Sequence, residues 1–80
     1  MEFDKEIPMP KQPVRIIKGE FILDTFVRYR YMDIAGQIIV LDVHNTSGYP
    51  VPTELLYRNN KWVVYLPKNC RFFNQEVTIE

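Results

Sequence analysis

The chain has one cysteine, Cys70, among its 80 residues, so no internal disulfide can form. Small secreted domains depend on such staples, and a reducing, cytoplasmic setting is therefore expected. Charge of one sign is missing too: ten Lys and Arg balance ten Asp and Glu. This removes the global field that draws proteins to polyanions and leaves only local preferences. No run approaches the ~20 apolar residues that cross a bilayer. Residues 1–12 mix charges with prolines and form no apolar stretch of the secretion-signal kind. Neither membrane association nor a targeting segment is expected. The three glycines, Gly19, Gly36 and Gly48, stand far apart, so they cannot build a phosphate-cradling loop or a dinucleotide-binding turn.

The chain is 46% hydrophobic and 14% aromatic, which is the composition of a folded domain. A domain of this size buries only ~60% of the surface its unfolded chain exposes. Its core is therefore thin, and aromatic and β-branched residues must fill it.

Pro8, Pro10 and Pro13 predict an extended arm over residues 1–13, ahead of a single domain at 14–80. Strand-like patterning covers residues 14–23, 25–32, 37–44, 55–58 and 61–66, with a last strand from Cys70 to Phe73 that extends through 77–79. Gly19 is expected to bend one long strand around a corner. The loop Ile34-Ala35-Gly36 suits a three-residue hairpin connection in which Gly36 takes positive φ. That register pairs Asp33 with Gln37 and sets Arg28 opposite Asp42. It also gathers Val27, Tyr29, Tyr31, Ile39, Leu41 and Val43 on one face. Asn59-Asn60 predicts a two-residue turn, with Tyr57 facing Trp62, Leu55 facing Val64 and Arg58 facing Lys61. A helix over residues 20–32 would align Ile22, Phe26 and Tyr29, but dense β-branched and aromatic content opposes it. The fold class is thus all-β: a small curled five- or six-stranded sheet or barrel of SH3-like or OB-like type, whose closure hides strand edges.

Catalytic chemistry finds little footing. Asp42, His44 and Ser47 are hydrolase residue types. However, Asp42 and His44 share a strand face at ~6.6 Å and point the same way, and Ser47 lacks a strand-to-helix elbow. His44 and Cys70 stand 26 residues apart without paired ligand spacing, so no metal site is expected. The acids are dispersed, and Cys70 reads as a small hydrophobe. No enzymatic activity and no cofactor are expected.

Binding surfaces are easier to find. Residues 55–75 carry Arg58, Lys61, Lys68 and Arg71 and no acid, a local charge of +4, interleaved with Tyr57, Trp62, Tyr65, Phe72 and Phe73. Basic residues beside aromatic platforms can hold single-stranded nucleic acid; the same rings can equally be core. Pro10, Pro13 and Arg15 match a proline-rich ligand pattern. Tyr49 and Pro50 put an aromatic on a stiff loop of the kind found at interfaces. The expected function is a non-catalytic protein-interaction or assembly module, with a protein partner or self-association, and single-stranded nucleic-acid binding through 55–75 as the alternative.

Overall fold

The computed structural model describes residues 12–43 and 48–80. Six strands are formed: β1 (Gln12–Lys18), β2 (Phe21–Asp33), β3 (Gly36–Leu41), β4 (Glu54–Arg58), β5 (Lys61–Leu66) and β6 (Glu76–Ile79). Each pairs antiparallel with its neighbour in sequence, and β6 closes on β1 to complete a barrel in the size class of SH3-like and OB-like domains. Few bonds make that closure. Ile16 and Ile17 pair with Ile79 and Thr78, and the Arg15 and Glu80 amides donate to each other's carbonyls at 3.2 and 2.9 Å.

Local chemistry accounts for the β4–β5 hairpin. Asn59 and Asn60 both take positive φ, 56° and 64°, as a two-residue turn matched to strand twist demands. Tyr57 then faces Trp62, Leu55 faces Val64 and Arg58 faces Lys61, as expected.

Three expectations are corrected. Gly19 makes no bend within a strand: with Glu20 it forms the tight turn of the β1–β2 hairpin, pairing Lys18 with Phe21. The positive φ that suits a bulge suits a hairpin turn equally well, and antiparallel pairing selects the turn. The segment from Cys70 to Phe73 is not a strand but a pair of turns, in which the Cys70 amide donates to Pro67 O and the Phe73 amide to Cys70 O. That fold-back drops Cys70 into the core. Finally, β1 begins at Gln12 and so takes in Pro13. The Arg15 backbone groups face β6, so strand alternation turns those of Pro13 away from β2 as well, and the missing donor leaves no β1–β2 bond empty.

The β2–β3 register also differs from expectation. Asp33 pairs with Gly36, Met32 with Gln37 and Tyr31 with Ile38, so the loop is Ile34-Ala35 alone. A bulge at Arg28 then sets Val27 opposite Leu41, where the expected register has Val43, and leaves Arg28 without its expected place opposite Asp42. One extra residue reverses the side-chain alternation. Val27, Ile39 and Leu41 face the barrel interior, whereas Tyr29 and Tyr31 join Val40 and Ile38 on the opposite face.

The interior cluster comprises Ile16, Val27, Ile39, Leu41, Leu55, Val64, Cys70 and Val77. The outer side of the β3–β4 pair also buries Ile38, Val40 and Leu56, along with Pro52 from the preceding loop. Two hydroxyls bridge this outer face. Tyr31 on β2 donates to Glu54 Oε1 on β4 at 2.9 Å, and Tyr65 on β5 donates to Asp33 Oδ2 on β2 at 2.7 Å.

Candidate interaction surface

Pairing across the sheet sets Met32 beside Gln37, Gln37 beside Tyr57, Tyr57 beside Trp62 and Trp62 beside Val77, an unbroken row over β2, β3, β4, β5 and β6. Directly opposed residues share a face, so this row caps the end of the barrel interior. Met32 at 74% and Tyr57 at 39% are its exposed members, Gln37 between them and Trp62 against the core are half-buried, and Val77 at 5% ends it. The Tyr57 and Trp62 rings lie 4.8 Å apart at 48°. Trp62 is thus anchored by packing and positions Tyr57, whose ring faces outward. Ile34, fully exposed at the adjacent β2–β3 turn, extends the apolar ledge.

The basic residues of 55–75 do not form one strip. Arg58 Nη2 lies 3.5 Å from Asn74 Oδ1, and Lys61 Nζ lies 3.7 Å from Glu76 Oε1, so the two like charges at the turn each have their own neighbour. Lys68 follows the opposite end of β5, a strand length of roughly 17 Å away. The Arg71 guanidinium sits over the Phe72 ring at 4.8 Å, and Phe72 packs on Phe21 at 4.9 Å between centroids.

The proline and loop candidates fall elsewhere. Pro10, His44 and Ser47 lie outside the described residues. Pro13 is exposed opposite Phe26, and Arg15 is paired with Asp24 at 2.7 Å. Both line an open groove of about 390 Å³ over the β1–β2 pair, bordered by Glu80. Tyr49 is highly exposed, Pro50 half-buried. Asp42 is half-buried, and its carbonyl accepts from Thr25 Oγ1. Among the described residues no group of three or more His, Cys, Asp or Glu gathers at metal-binding distance. Residue-by-residue reading missed Met32, Gln37 and Ile34 because their role comes from register, and a two-residue loop at 34–35 would have revealed it.

The bridging hydroxyls give the outer face of the barrel a pH signature. Desolvation, then the bond to Glu54, pushes the Tyr31 phenol up to about 12. The bond to Asp33 raises Tyr65, and the same bond, followed by the Ile34 amide, lowers Asp33. Phenols raised above the ordinary value of about 10 stabilise the barrel fully below that pH, and the stabilisation is lost as pH climbs through the folded value. Asp33, being lowered, contributes above the ordinary carboxylate value of about 4, and its contribution disappears as pH falls through the folded value. An ultraviolet titration should therefore resolve one phenol ionising near pH 12 that vanishes in Tyr31→Phe. Ionisation of every phenol near pH ~10 would contradict this reading.

No protein-family model, no curated protein and no solved structure matches this chain.

Proposed function

We propose that this barrel is a non-catalytic protein-interaction or assembly module that works in a reducing, cytoplasmic setting. The observation that carries the reading is the row from Met32 to Trp62, in which a packed indole holds an exposed tyrosine across Gln37 from an exposed methionine. Rigid aromatics with one side in the core and one side free are the usual anchors of protein interfaces, because little side-chain entropy remains to be lost on binding. A buried free thiol at Cys70 suits the same setting. Single-stranded nucleic acid draws less support, since Lys61 has Glu76 beside it and Lys68 stands at the far end of β5.

Light scattering on the purified protein, followed by affinity capture from its source cell with wild type and with Met32→Ser plus Tyr57→Ala, tests the proposal. The expected result is a defined partner or oligomer that the double variant loses, while its far-ultraviolet spectrum stays unchanged. A strictly monomeric protein that retains nothing, or retains oligonucleotides with steep salt dependence, would reject it.

A further inference from the structure

β2 is the longest strand, with 13 residues. Residues 21–27 pair with β1 on one side, and that pairing ends at Gln12–Val27. Residues 28–33 continue past this point, paired with β3 on one edge only among the described residues. Ladder parity decides what the other edge presents. The Asp42 amide donates to Phe26 O and the Leu41 amide to Thr53 O, so Val27 and Leu41 face each other without exchanging backbone bonds. Beyond the bulge, Tyr29, Tyr31 and Asp33 turn their backbone groups to β3. The N–H and C=O groups of Arg30 and Met32 therefore point out along the open edge.

The sequence itself limits how far β1 can cover that edge. Arg15 bonds to Glu80 on the β6 side, so the even-numbered residues of β1 are those that bond to β2. Continuing the ladder past Gln12 needs donors at positions 10 and 8, and both are proline.

Charge and apolar side chains border the same edge. Arg28 has no ion-pair or hydrogen-bond partner among the described residues, and Arg30 has a neutral one, Gln12, at 2.6 Å. Met32 and Ile34 are exposed beside them. The solvated-edge explanation accounts for charges alone; it leaves unexplained why exposed apolar groups and two guanidiniums without a carboxylate partner among the described residues flank the same outward-facing donors and acceptors.

We infer that residues 28–33 of β2 accept an extended acidic segment of a partner protein as an added antiparallel strand, with carboxylates beside Arg28 and Arg30 and an apolar side chain on Met32. This mode of binding rests on the interaction-module reading and specifies the partner's chemistry: an extended backbone that carries an acidic and an apolar residue two positions apart, on the face that meets Arg30 and Met32.

A labelled ten-residue peptide in which valine pairs and glutamate pairs alternate, so that each face carries valine and glutamate in turn, tests it on the full chain, beside a lysine-for-glutamate version and an acidic version N-methylated at alternate residues. Backbone bonding and charge should both matter. The acidic peptide should bind and slow exchange of the Arg30 and Met32 amides about tenfold, whereas either control should bind about tenfold or more weakly. Arg28→Glu with Arg30→Glu should abolish binding. Met32→Pro, which removes an edge donor without touching the β2–β3 ladder, should weaken it with the melting temperature little changed.

Equal binding of the N-methylated peptide means charge contact only and overturns strand addition. So does the absence of binding by any peptide at about 100 μM. Protection of Arg30 and Met32 amides in the free monomer means this chain already fills the edge, and protection that grows with dimer formation means a second copy does; both overturn the proposal. If these outcomes occur while the Met32 and Tyr57 variants still lose a captured partner, the module survives and only the added strand fails.

Discussion

Leu55→Ala is expected to destabilise the barrel by about 2–5 kcal/mol, the range for a fully buried leucine. Leu55 has no exposed surface and sits between Ile39 on β3 and Val64 on β5, both buried. Those neighbours are carried on strands hydrogen-bonded to β4 on either side, so they cannot move in to fill the space left by the lost atoms. The cavity term therefore adds nearly in full to the transfer term. A domain of this size has about 4–12 kcal/mol of stability to lose, so one substitution removes a large share of it. Thermal unfolding should fall by about 8–40 °C, at about 4–8 °C per kcal/mol. Ile22→Ala, at a position 56% exposed, is the matched control and should cost less than about 1 kcal/mol. Equal effects at the two positions would mean that the barrel interior is not the core.

Gly36→Ala is expected to cost at least about 3 kcal/mol, from two sources that add. Gly36 has φ +145°, and a Cβ there would sit 2.5 Å from Tyr57 O and 3.3 Å from Leu56 Cδ1. An L-residue at positive φ carries about 1–2 kcal/mol of strain, and the contact with a carbonyl oxygen forces β3 away from β4. Gly19→Ala separates the two terms. Gly19 also has positive φ, +62°, but nothing lies within 4 Å of its added Cβ, so only the backbone term of about 1–2 kcal/mol applies. Denaturant unfolding of both variants measures the difference. Because the displaced strand carries Tyr57, the Gly36 variant should also lose partner binding, whereas the Gly19 variant should keep it. Similar unfolding midpoints for the two would mean that β3 and β4 do not approach closely at Gly36.

The interaction surface was partly legible in the residues. Tyr57 and Trp62 follow from the Asn59-Asn60 turn, since a two-residue loop leaves a single register and opposed residues share a face. Met32 and Gln37 complete their row only if the β2–β3 loop has two residues, and Gly36 pointed to three. Its positive φ was foreseen correctly but for the wrong purpose: the glycine serves a close approach to β4 rather than the turn itself. The basic window divides between the two ends of β5, with Lys61 at one and Lys68 beyond the other, and proximity in sequence says nothing about which end of a strand a charge occupies.

Local chemistry, written in single residues, determined the all-β class, the hairpin at Asn59-Asn60 and the exclusion of a disulfide. Each depends on backbone preferences or bonding capacity that a residue carries wherever it is placed. Tertiary structure alone decided which face Tyr29 and Tyr31 occupy, that Leu56 and Ile38 are buried opposite the core, and that residues 28–33 of β2 pair on one edge only among the described residues. The bulge at Arg28 caused the first of these. A closing barrel needs sharp curvature at that point, and no feature of arginine announces it, because bending the strand is a requirement of the whole sheet.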